Sequence, residues 1–193
     1  MAVIARASLV EYFKDQVEGA LAQQRVDAGD ATAYYMVQLL AGTLRNDTTG
    51  AVPALLDGRP LALRLAAALD DGCPDQSRAL RDVADAALLL GGYFARRAGR
   101  QAMPVEYYRN VGGFAYRALG QVPQALAPIY LELAGRFTQF AEVLRDVGQR
   151  ADLETPAGVL RAVDAWQRSP DHRLGRLLVE RGVVLHRGRV RLQ

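Results

Sequence analysis

The sequence predicts an all-α fold: a single-domain helical bundle of about seven to eight helices with a short basic C-terminal tail. Three observations predict it. Apolar residues recur at intervals of three and four through most of the chain. Clusters of Gly, Pro, Asn and Asp punctuate these periodic segments. Alternation of period two appears only near the C-terminus, from Val183 to Gln193. Half of the 193 residues are apolar and 23% are charged, which is globular rather than disordered composition.

The elements follow in order. A first helix over Ser8–Gln24 opens on a Ser8/Glu11 capping box and lines Leu9, Phe13, Val17, Ala20 and Leu21 along one face. Asp30 caps a second, over Ala31–Arg45, whose apolar set covers most of its circumference and marks it as central. Asn46–Pro60 reads as a loop and Pro60–Leu69 as a short third helix. A fourth, Ser77–Arg97, carries Leu80, Val83, Ala84, Ala87, Leu88, Gly91 and Ala95 on one stripe. A fifth runs from Pro104 to near Gly120. The sixth, from Pro123–Pro128 to about Arg150, has Leu126, Tyr130, Leu133, Phe137, Phe140, Leu144 and Val147 in a heptad seam. Thr155-Pro156 and Ser169-Pro170 open the last two. The expected division is a bundle over 1–168 and a basic helix and tail over 169–193.

Residue types exclude several chemistries. His172 and His186 are the only histidines and neither follows a Glu by three, so a di-iron bundle site is not encoded. With Cys73 they make three Cys/His ligands, widely spaced, too few for a structural zinc site. Phosphate-binding glycine loops and nucleophile elbows are absent, and Ser8, Ser77 and Ser169 all sit at expected helix starts. No metal and no cofactor is expected. A thiolate at Cys73 would be opposed by Asp70, Asp71 and Asp75. Asp82 and Asp85 form an i, i+3 carboxylate pair one turn from Arg78 and Arg81, read as a solvated, ion-paired face.

The lone cysteine, the absence of a secretion-type leader and the lack of a run of roughly 20 apolar residues make a cytoplasmic protein without a membrane span the expectation. Lys14 is the only lysine among many arginines, a usage typical of GC-rich bacterial genomes.

Two matched segments stand out: Leu90-Gly91-Gly92-Tyr93-Phe94 and Val111-Gly112-Gly113-Phe114-Ala115-Tyr116. A glycine pair inside a helix costs roughly 2 kcal/mol relative to alanines, so a close contact or a ligand should compensate. In an antiparallel hairpin the pairs fall at similar heights, and the expectation is that they face each other, so that Gly92→Ala and Gly113→Ala overpack the contact. The other possibility is an apolar ligand pocket between the second, fourth and fifth helices, with Tyr35, Gly92, Tyr93, Tyr108, Gly113 and Tyr116 as its candidate residues.

Residues 161–193 hold eight Arg against Asp164, Asp171 and Glu180, a net +5, while the whole chain is +3. Arg173, Arg176, Arg187, Arg189 and Arg191 are the candidate partner-binding residues of this tail; nucleic acid is disfavoured by the modest total charge. Within it, Arg173-Leu174-Gly175-Arg176-Leu177-Leu178-Val179-Glu180-Arg181-Gly182-Val183-Val184 is similar to the first half of the repeated motif in the N-terminal domains of type II secretion and pilus ATPases that bind cyclic di-GMP, with Arg173, Leu174, Gly175, Leu178 and Gly182 matching. The resemblance implies nucleotide binding. It covers about twelve residues, and neither the second half of the motif nor its tandem copy is present. Over the whole chain the functional expectation is a non-enzymatic protein acting by protein–protein contact, a homo-oligomer; the alternative is the small-molecule-binding bundle with the tyrosine-lined pocket.

Overall fold

In the computed structural model the described residues are 2–44, 58–70, 72–95, 103–154 and 156–184, with backbone alone for 2–8, 44 and 157. Among them are nine helices and no strand, an all-α fold. They are α1 (Ala2–Gln24), α2 (Asp30–Leu44), α3 (Leu61–Ala68), α4 (Gln76–Gly91), α5 (Val105–Gln121), α6 (Ala127–Gly135), α7 (Phe137–Leu153), α8 (Pro156–Arg168) and α9 (His172–Glu180). None of the described helices is long and apolar enough to cross a membrane.

Two compact units result, Met1–Val147 and Gly148–Gln193. In the first, α4 packs on α5, α5 on α6, and α1 on α2; α3 touches α4 and α5, and α2 touches α6. Its core holds Phe13, Met36, Leu40, Leu88, Leu89, Tyr116, Leu119, Tyr130, Phe137 and Phe140, all but closed to solvent. Burial of each such side chain contributes roughly 1.5–3 kcal/mol, which is what holds helices of modest propensity in place. In the second unit Leu153, Ala162, Leu174, Leu177 and Leu178 form a small apolar cluster, with Trp166 and Val183 packed against it. Arg181 Nε donates to the Leu153 carbonyl at 3.0 Å, which satisfies a carbonyl left orphaned at the end of α7.

Local chemistry differs from the sequence expectation in four places. The sixth helix is two: α6 ends at Gly135, and Arg136 adopts φ −122°, ψ 26° before α7 begins. Arg136 N–H still bonds the Glu132 carbonyl and Phe140 N–H the Arg136 carbonyl, so the ladder bends without losing its turns. Tyr130, Leu133, Phe137, Phe140, Leu144 and Val147 of the heptad seam are therefore all buried across the break. The fourth helix stops at Gly91 rather than Arg97, because Gly92 takes a non-helical conformation with ψ −96°. Ser8 lies inside α1, which begins at Ala2, so the Ser8/Glu11 pair is no cap. Asp75 and Asp171 are the caps of α4 and α9; each accepts a backbone N–H, from Arg78 and Arg173 respectively. Most of the Asn46–Pro60 loop and of the terminal tail lies outside the described residues.

Candidate functional site

Two arrangements in the first unit bring chemistry together. One is a buried polar cluster centred on Asp85. Its side chain is only 7% exposed, on a stretch of α4 where Val83 to Leu89 are all buried. Tyr35 from α2 donates to Asp85 Oδ1 at 2.7 Å, and Tyr116 from α5 donates to the same oxygen at 2.6 Å. Tyr130 of α6 completes the cluster, stacked on Tyr116 with centroids 5.9 Å apart and edge-on to Tyr35. Burial pushes the Asp85 carboxyl up to about 6, even though the two phenols and the Arg81 charge favour its ionised form. Burial, and then the Asp85 charge, raises both Tyr35 and Tyr116, so both phenols stay protonated donors. With Tyr116 and Tyr130 fully buried, the cluster is an interior tie joining α2, α4 and α5.

The solvated-face reading of Asp82 and Asp85 is therefore corrected for Asp85. Three residues along a helix rotate a side chain by about 60°, and here that turn carries Asp85 under α2 and α5. Asp82 stays half-buried near Arg78, Arg81 and Arg64; burial raises its pKa and those charges oppose the rise. The available signal was a lone acid in the run Ala84-Asp85-Ala86-Ala87-Leu88-Leu89-Leu90.

The second arrangement is a cleft of about 590 Å³ between α1, α2 and the turn that joins them. Val17, Leu21, Val26, Ala28, Ala33 and Val37 form its apolar surface, and Lys14, Glu18, Asp27 and Asp30 its charged rim. Tyr34 is one wall and is 59% exposed. α1 ends where Arg25 takes φ +55° and Val26 N–H bonds the Leu21 carbonyl, which turns the chain across the cleft mouth. The turn is held from behind by α6. Glu132 accepts from Gly29 N–H at 3.1 Å and from Thr32 Oγ1 at 2.5 Å. Arg136, 3.6 Å from Glu132, donates to the Asp27 carbonyl. Consecutive residues of α2 thus divide the work: Tyr34 faces the cleft while Tyr35 reaches Asp85.

The sequence-derived pocket residues separate into different places. Tyr35 and Tyr116 meet at Asp85, and the rings there pack on one another. Tyr93 is buried edge-on to Phe13 of α1. Tyr108 lies against Gly91 and lines a smaller cavity of about 200 Å³ with Leu90, Met103, Val105 and Arg145. Arg145 there donates to the Gly91 carbonyl at 3.1 Å and pairs with Glu142.

The glycine pairs do not face each other. A Cβ at Gly92 would meet α7, at 2.8 Å from the Ala141 carbonyl oxygen and 2.9 Å from Leu144 Cβ. The tight crossing of α4 and α5 is at Gly112, where a Cβ would lie 2.6 Å from Ala87 Cβ and 2.7 Å from Phe137 Cε2. At Gly113 a Cβ would meet only the Ala134 carbonyl oxygen, at 3.8 Å, so the expected overpacking applies to Gly92 and Gly112 and not to Gly113.

In the second unit Arg176 is exposed and Arg173 half-buried; Arg187, Arg189 and Arg191 lie outside the described residues. Leu174, Gly175 and Leu178, which carry the motif resemblance, are buried, the two leucines in the α8–α9 cluster, and Gly182 takes φ +83° just after α9. Among the described residues no three His, Cys, Asp or Glu side chains are placed to hold a metal ion. No protein-family model, curated protein or solved structure matches this chain.

Proposed function

We propose that this chain is a binding protein whose ligand site is the cleft between α1 and α2. The observation that carries this reading is the cleft itself, about 590 Å³ with an apolar floor and a charged rim. That volume lies within the roughly 300–1,000 Å³ typical of small-molecule sites. The bonds from Glu132 and Arg136 to the joining turn fix its shape before a ligand arrives, which lowers the ordering cost of binding. It is favoured over the tyrosine-lined pocket expected between α2, α4 and α5 because the candidate residues of that pocket lie apart, Tyr35 and Tyr116 at Asp85, Tyr93 against Phe13 and Tyr108 against Gly91. A fragment screen by ligand-observed NMR tests the reading, with Ala33→Trp as the blocked control. Hits should bind the native chain and be lost in the variant with its helical circular dichroism intact. Hits that persist in Ala33→Trp would place binding elsewhere.

A second reading, self-association through protein–protein contact, is favoured by Phe114 on α5, Leu131 on α6 and Val122 between them, which are 51%, 43% and 44% exposed. Native mass spectrometry of the same sample decides it: a monomer at tens of micromolar sinks the reading.

A further inference from the structure

Resting on the cleft reading, we infer that the α1–α2 site takes an amphipathic cation: an apolar chain or ring bearing an organic ammonium group. The floor is hydrocarbon, with Val17 and Val37 almost fully buried beneath it. An apolar body placed there leaves water and covers the hydrocarbon that the half-buried Val26, Ala28 and Ala33 still expose, above Val17 and Val37. The rim sets the sign of the other end. Lys14 is its single cation among the described residues and pairs with Glu18 at 3.8 Å on the surface of α1. Asp27 and Asp30 remain, both exposed, on the turn and the first residue of α2. Among the described residues no ion pair engages either carboxylate. Among the described residues the rim therefore carries one positive against three negative charges. The nearby Arg25 and Arg136 do not line the cleft, and Arg136 is turned to Glu132, Gln139 and the Asp27 carbonyl. Tyr34 adds an exposed aromatic face on the same wall, a surface that attracts ammonium groups through its quadrupole.

An anionic amphiphile would have Lys14 alone to meet its head group, already shared with Glu18, and three carboxylates to repel it. A neutral one would gain the floor and nothing from the rim. Charge and aromatic wall thus discriminate among ligands that the apolar floor treats alike.

The test compares three eight-carbon probes with one tail and different heads: octyltrimethylammonium, octanoate and 1-octanol. Titrations on the native protein by isothermal calorimetry or NMR, at low ionic strength, should rank the cation about tenfold tighter than the anion, a difference near 1.4 kcal/mol. Asp27→Asn combined with Asp30→Asn should bring the cation most of the way down to the level of the alcohol, Tyr34 and Glu18 keeping the remainder, and Tyr34→Leu should weaken it without helping the anion. If all three probes bind alike, or octanoate binds best, the cleft stands and the cation assignment falls. If none binds at millimolar concentration, the cleft reading itself falls. Raising the salt should erode the cation's advantage and leave the alcohol unchanged; an advantage indifferent to salt would overturn the role of Asp27 and Asp30.

Discussion

Two helical hairpins in the first unit have opposite characters. In the α4–α5 hairpin the backbones approach closely because Gly112 has no side chain and Ala87 has a small one, and Phe137 fills what remains. Its polar content is internal, with Asp85 of α4 and Tyr116 of α5 joined by a 2.6 Å hydrogen bond. In the α1–α2 hairpin Val17, Leu21, Val37 and the ring of Tyr34 surround the space between the helices, and a cleft opens there. The glycines within its helices, Gly19 and Gly42, have nothing within 4 Å of where a Cβ would be. Glycine in a helix is thus not by itself a mark of close packing. What matters is whether another element converges on it. The closed hairpin spends its polar groups on itself, whereas the open one leaves Asp27, Asp30 and Tyr34 facing water.

The sharpest way to separate the two hairpins is pH. The Asp85 carboxyl is raised from 3.8 to about 6 in the folded chain. The native state therefore holds the proton more tightly than the unfolded one, and the stabilisation from this group is present below pH 4 and lost as pH rises through 6. Isothermal denaturation at several pH values should show stability attributable to Asp85 falling by on the order of 2–3 kcal/mol over that range. Asp85→Asn, which keeps an oxygen for both phenols, should abolish that component of the slope. A slope unchanged in the variant would mean that Asp85 is not the titrating group.

Side-chain addition at the glycines gives effects of opposite sign in the two places. Gly112→Ala should destabilise by roughly 1–3 kcal/mol, because neither Ala87 nor the buried Phe137 can withdraw without opening space elsewhere. An unchanged melting temperature would show that the crossing has slack.

The smallest effect tests the open side. Gly19→Ala, in the exposed middle of α1, should stabilise by about 0.5–1 kcal/mol through helix propensity alone. Gly113→Ala, one residue from the tight crossing, should do the same, since only a carbonyl at 3.8 Å lies near. Loss of stability at Gly113 would restore the symmetric glycine contact that the pairing of the two segments suggested.

Much of the helical pattern was legible because it is local. Periods of three and four placed α2, α3, α5, α8 and the seam through α6 and α7 near their true positions, and prolines marked the starts of α5 and α8. The break at Arg136 was not legible. The apolar interval from Leu133 to Phe137 is the ordinary four, and the bend comes from a backbone conformation beside Gly135 held by side-chain bonds to residues about a hundred positions away.

Neither candidate site could be read from local spacing. The sequence by itself determined that the chain is helical and which faces of its helices are apolar. Tertiary structure alone decided that Asp85 is interior while Asp82, one turn away, is not, because its two donors come from 50 residues before and 31 residues after it. It also decided that adjacent tyrosines serve different regions, Tyr34 in the cleft and Tyr35 in the core. Periodicity is a property of one helix and survives in the sequence. Burial and convergence are properties of several helices at once, and they exist only when the chain has folded.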